Sequence, residues 1–447
     1  MAAMQVLQRW LLGGGWFIAA SASVPAQQWG TPAPIAAPDF SVIQLDATIV
    51  MDRFGGAIAA WSQQSAGPQA AFQRVGGGWS AAQKLSGPKS FALDTTVAVG
   101  ANGTAVALWV DVIPGRYGRT QMEAATLVPG GSQFSSADVL TPTDPTLSQP
   151  QVAVDGDGGV IAAWLHFDGT HRRVQVVERP AGGNWSTPFD LSSATKDAAW
   201  PRLAVDRNGH AVLAWLSTTP GSTSGRIEVA LRTGGGLWSL PRGVSALTTN
   251  LWNPQVAIDA TGRGAVVWEE NSAIMAATQA GHRAPFMAPV QLSAVGEPSN
   301  WPSLAVDDAG HLAVAYSALL APPVATHATR VVTRAAGAST WSAPRTLSDA
   351  TLWWLEDVGP PQVAASADGS LLIVTWEDNL TTMVRAATYG AFFAGGKAWG
   401  PAQTIANDAL WNDPLPVAAG PAGSARVLFA NALSRYQSQL NALPLGK

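Results

Sequence analysis

The chain has 447 residues, 47% of them hydrophobic and 13% charged, with a net charge of −4. An average globular protein is about a quarter charged, so this chain is built to bury a large core. Its Lys and Arg residues are scattered, which excludes the basic footprint of a nucleic-acid binder. The absence of cysteine excludes disulfide support and a lipoprotein anchor.

Residues 1–26 read as a secretory signal. Arg9 supplies the positive end, and WLLGGGWFIAASAS (10–23) is an apolar run too short to span a bilayer. Val24-Pro25-Ala26 offers small residues for cleavage, so the mature chain is expected to begin near Gln27. Secretion or periplasmic residence follows as an expectation. No later segment is long and apolar enough to cross a membrane as a helix. Residues 27–447 are expected to form one domain.

A repeat dominates the rest. PQVAVDGDGGVIAAW (150–164) returns as PRLAVDRNGHAVLAW (201–215), PQVAIDATGRGAVVW (254–268) and PSLAVDDAGHLAVAY (302–316). Two β-rich runs around a tight Gly turn read as a hairpin. The Asp that closes the first run (Asp52, Asp155, Asp206, Asp259, Asp307) suits the first position of that turn. DGDGG lacks the later oxygen ligands of a calcium loop. The second run is apolar at nearly every position, so both of its faces are buried.

The aromatic that ends the hairpin falls at Trp61, Trp109, Trp164, Trp215, Trp268, Tyr316, Trp376 and Phe429. That is one copy about every 50 residues, the length of a four-stranded propeller blade. A third strand follows in each copy (VQVVERPA, IEVALRT, RVVTRAA). A fourth then opens on an aromatic (WSTPFDLS, WSLPRGVS, FMAPVQLS, WSAPRTLS, WGPAQTIA). The last copy lacks this fourth strand, while WGTPAPIA (29–36) has no hairpin before it. The expectation is an all-β, eight-bladed β-propeller of four-stranded antiparallel blades. Its N-terminal strand would complete the last blade and leave no open edge.

The repeat resembles the Ala/Val/Trp-rich blades of secreted bacterial propeller proteins of the broad sialidase-like neighbourhood. The resemblance runs from residue 29 to about residue 440 and specifies blade geometry rather than activity. The Asp-box of sialidases is missing, because the corresponding turns read RPAGGNW and RTGGGLW. The docking motif of quinoprotein dehydrogenases is missing too. GxSxG, HExxH and P-loop motifs do not occur. No cofactor and no metal is expected.

The tryptophans sort into three sets. One ends the second strand and another opens the outer strand; both read as blade packing. The third falls between one blade's outer strand and the next blade's inner strand: Trp200, Trp252, Trp301, Trp353, Trp354 and Trp411. Those segments are expected to be loops on one face of the ring, where an arc of indoles can stack on sugar rings. Glu269, Glu377, Asp378 and His166, expected in neighbouring loops, would supply polar contacts. The leading expectation is a monomeric secreted protein that binds an extracellular carbohydrate, or a protein ligand, at the channel mouth. The alternatives are a glycoside hydrolase or polysaccharide lyase using Glu269, Glu377 and Asp378, and a protein–protein interaction platform.

Overall fold

A computed structural model describes residues 28–38, 47–63, 66–87, 91–113, 119–281, 283–320, 326–348, 351–352, 360–379, 386–393, 399–409, 416–434 and 437–445. The expected signal segment, residues 1–26, lies outside them. No helix among the described residues is long and apolar enough to cross a membrane.

The fold is an all-β propeller of antiparallel, four-stranded blades. Blade 3 is typical: Ser148–Val154, Val160–Phe167, Arg172–Arg179 and Phe189–Asp190 pair in chain order, from the innermost strand to the outermost. Blade 1 spans Thr48–Met51 to Gln83–Lys84, and blade 2 spans Phe91–Val99 to Asp138–Val139. Blade 4 runs from Asp197–Val205 to Arg242–Gly243, blade 5 from Leu251–Ile258 to Val290–Gln291, and blade 6 from Ser299–Val306 to Arg345–Thr346.

The ring has seven blades, not the eight that the repeat count predicts. The difference lies at the end of the chain. In blades 1 to 6 the outermost strand is two residues long, whereas in the seventh copy it extends over Gln403–Ala409. Its last residue, Ala409, pairs with Asn431 in the strand Ala425–Ser434. The last two copies are thereby joined into a single eight-stranded sheet. The N-terminal segment also enters this sheet. Ala33–Pro34 pairs with Gln437–Leu445, and Trp29 bridges Leu445.

The buried second strands explain the Ala- and Val-rich repeat. Their side chains alternate between two neighbours. In blade 3, Val160, Ala162 and Trp164 pack against Val106 and Leu108 of blade 2. Ile161, Ala163 and Leu165 pack against Leu213 and Trp215 of blade 4. Each hairpin Trp thus presses back on the blade before it, and Trp164, Trp215 and Trp268 are fully buried. The turns obey the Asp reading. One oxygen of Asp155 accepts the N–H groups of Asp157 and Gly159, at 3.0 and 2.7 Å. Gly158, at φ 95°, takes the left-handed turn position that favours glycine.

Candidate functional site

The inner strands, which line the centre of the ring, share one irregularity. Register shifts fall between Leu93 and Thr96, Ser148 and Gln151, Ala199 and Arg202, Trp252 and Gln255, and Asn300 and Ser303. Five successive blades therefore carry a β-bulge near the start of the inner strand. The bulged residue is left-handed every time: Asp94, Gln149, Trp200, Asn253 and Trp301 have φ between 48° and 54°. Such a backbone is uncommon for a bulky side chain. It persists where surrounding structure enforces it, and bulges re-aim side chains beside functional sites.

Hydrogen bonds lace the bulges around the ring. The Gln149 N–H donates to Asp94 Oδ2 at 3.1 Å, and the Trp200 N–H donates to Gln149 Oε1 at 3.0 Å. The Trp301 N–H donates to Glu269 Oε2 at 3.4 Å. Three of the five bulges are thus held by a side chain of the preceding blade, which fixes the left-handed residue.

Trp200, Trp252 and Trp301 lie within the inner strands, not in the loops that the sequence predicts. The bulge accounts for the difference, because it breaks the pattern that marks a strand. The three are not equivalent positions. Trp200 and Trp301 are the bulged residues themselves, whereas Trp252 precedes the bulged Asn253. That one-residue offset brings two indoles together: the rings of Trp200 and Trp252 lie 5.0 Å apart at 46°. Trp252 is 46% exposed. Trp200 is half-buried against the core shared by blades 4 and 5. It also walls a cleft with Gln149, Leu165, Phe167 and Arg172.

Glu269 completes this group. It sits opposite Trp252 in the strand Gly264–Glu270 and is half-buried. Burial pushes its carboxyl above the ordinary value, and hydrogen bonds from the Trp301 backbone and the Asn253 side chain offset part of that rise.

The other predicted residues are placed elsewhere. His166 lies in the strand Val160–Phe167 rather than in a loop. Its Nε2 meets Asp190 Oδ1 at 2.7 Å, and its Nδ1 faces Asp144 Oδ2 at 3.8 Å. Asp190 is also 3.3 Å from Arg173, which holds Asp168 at 3.1 Å. Strand alternation directs His166 away from the side where Leu165 and Phe167 border the cleft. Glu377 and Asp378 lie in the strand Leu372–Asn379 of the seventh sheet, again not in a loop, and Glu377 is buried at 2% exposure. The Asp378 side chain and all of Trp353, Trp354 and Trp411 lie outside the described residues. Among the described residues no group of three or more His, Asp or Glu is placed to hold a metal ion.

Gln149 and Asn253 were not legible as site residues. The available signal was the proline that follows the bulged residue in Gln149-Pro150, Trp200-Pro201 and Trp301-Pro302 and comes after Asn253 as Pro254.

No family model matches the sequence, and no curated protein matches it. Solved structures share the fold. A lectin, BP39L of Burkholderia pseudomallei, is 15% identical with a TM-score of 0.55, over 81% of this chain and all of the lectin. The polysaccharide lyase Uly1 is 9% identical with a TM-score of 0.50, over 92% of this chain and 99% of the lyase. The NanB sialidase of Streptococcus pneumoniae is 8% identical with a TM-score of 0.39, over 93% and 94%. At these identities the likeness is one of propeller fold.

Proposed function

We propose that this chain is an exported carbohydrate-binding propeller whose ligand rests at the mouth lined by Trp200, Trp252 and Glu269. The observation that carries this reading is the exposed Trp252 ring, 46% accessible and set against Trp200 at 5.0 Å. A sugar presents flat C–H faces to an indole, and its hydroxyls need nearby acceptors and donors. Glu269 and Asn253 stand beside the ring pair, and Gln149 and Arg172 border the adjoining cleft. The bulges hold Trp200 and Asn253 before a ligand arrives, which lowers the ordering cost of binding. The lectin of the same fold supports the carbohydrate class. Export rests on residues 1–26.

A polysaccharide array read for retention and for released product tests this reading. The wild type should retain a glycan without cleaving it, and Trp252→Ala should lose retention while keeping its melting temperature. Retention unchanged in Trp252→Ala would overturn the assignment. Release of product that stops in Glu269→Gln would instead make the site a catalytic one with Glu269 as acid.

A further inference from the structure

A second pocket lies at the opposite end of the sheets, on the outer rim between blades 4 and 5. In blades 3, 4 and 6 an arginine ends the third strand, opposite the first residue after the hairpin turn. The pairs are Arg179 with Val160, Arg232 with Ala211, and Arg334 with Leu312. Each arginine latches onto the preceding blade. Arg179 donates to Thr126 Oγ1 at 2.9 Å, Arg232 donates to Glu178 Oε2 at 3.0 Å, and Arg334 donates to Thr278 Oγ1 at 2.8 Å. Arg179 and Arg334 also cover the outer-strand rings of Trp185 and Trp341, at 4.7 and 5.4 Å.

Blade 5 lacks this arginine, as do blades 1 and 2, where Gln73 and Leu127 stand at the same position. Gln279 takes the arginine's place and turns back on its own blade. Its Oε1 accepts the Gly264 N–H at 2.8 Å, and its Nε2 donates to the Ala284 carbonyl at 2.6 Å. The outer aromatic is Phe286 instead of Trp. With no latch across this seam, a groove of about 430 Å³ remains, a volume typical of small-molecule sites.

Its walls are apolar: Leu231, Trp238 and Phe286, with Leu237 and Met287 exposed at the rim at 92% and 46%. The charged side chains of the lining are all basic, and no Asp or Glu is among them. Arg232 is committed to Glu178. Arg242 and Arg283 are exposed, and neither makes an ion pair or side-chain hydrogen bond with another described residue.

We propose that this groove is a binding site for a small aromatic acid, with the ring between Trp238, Phe286 and Met287 and the carboxylate at Arg242 and Arg283. The apolar walls offer a sugar few hydroxyl partners, whereas a flat ring gains contact on every side. Arg242 and Arg283, neither of them paired with a carboxylate among the described residues, supply the charge complement.

Titration calorimetry with naphthoate tests this, with uncharged naphthamide as the comparator. One naphthoate should bind per chain, at least tenfold more tightly than naphthamide. The double variant Arg242→Ala/Arg283→Ala, which alters only exposed side chains, should lose at least tenfold in naphthoate affinity. Trp252→Ala should leave naphthoate affinity unchanged. Absence of naphthoate binding, equal affinity for naphthamide, or unchanged affinity in the double variant overturns the proposal.

Discussion

Trp200 and Trp215 stand on neighbouring strands of blade 4, and the same residue type does different work in the two places. Trp215 lies on a regular strand buried on both faces, is fully buried, and packs into the core shared with blade 3. Trp200 sits on a left-handed bulge, half-buried, with its ring against the exposed Trp252. The first position is set by a period-2 pattern that serves the ring. The second is set by a break in that pattern, and the break sets an indole against that of the next blade. The contrast teaches that in this fold a regular strand position closes a core, whereas a bulged one leaves its indole half-buried beside an exposed neighbour.

The largest effect should come from the closing strand. Deleting residues 28–38 removes the pairing of Ala33–Pro34 with Gln437–Leu445 and takes Ile35 and Ala36 out of the core shared with blade 1. The last sheet then exposes a pairing edge. The truncated chain should melt earlier and self-associate in sedimentation experiments. A monomer with the full melting temperature would show that the ring does not depend on this strand.

Next come the tryptophans themselves. Trp215→Ala should destabilise by about 3–5 kcal/mol in denaturant titration, the cost of a large cavity in a closed core. Trp252→Ala should cost less than about 0.5 kcal/mol, as at most surface sites, yet reduce glycan retention at least tenfold. Trp200→Ala should fall between the two, because that ring is both packed and paired. Equal destabilisation by Trp215→Ala and Trp252→Ala would erase the distinction between the two strand positions.

How much of this was legible follows from the same contrast. The hairpin tryptophans, the Asp turns and the four-stranded antiparallel blades could be read because each repeats with the fold's own period. The number of blades could not. Gln403–Ala409 is longer than its counterparts, and its junction through Ala409 and Asn431 is a pairing between copies that the repeat does not encode. The bulges were equally opaque. Asp94, Gln149, Trp200, Asn253 and Trp301 share a backbone conformation but no side-chain type, so a search by residue type separates what the backbone makes equivalent. By residue type Trp252 and Trp200 look equal, and nothing in the sequence around His166 shows that Asp144 and Asp190 meet its ring.

The smallest effects concern protons, and two carboxyls make opposite forecasts. Backbone N–H groups of His171 and Thr170 hold Asp168 down to about 2. Its ionised form is favoured by folding, so its contribution is present above the unfolded value of 3.8 and is lost as pH falls toward 2. Burial raises Glu269 above 4.5. Folding favours its protonated form, so its contribution is complete below the unfolded value and is lost as pH rises through the higher folded one. Glu269→Gln keeps the shape and removes the charge. In stability measured against pH, that variant should lack the loss above 4.5 and keep the acid limb that Asp168 supplies. Asp168→Asn should make the acid limb shallower, with Asp368 and Asp259 supplying the rest of it, and leave the Glu269 step in place. If Glu269→Gln changes neither the pH profile nor glycan retention, the carboxyl beside Trp252 is a bystander, and the mouth recognises its ligand through the two indoles alone.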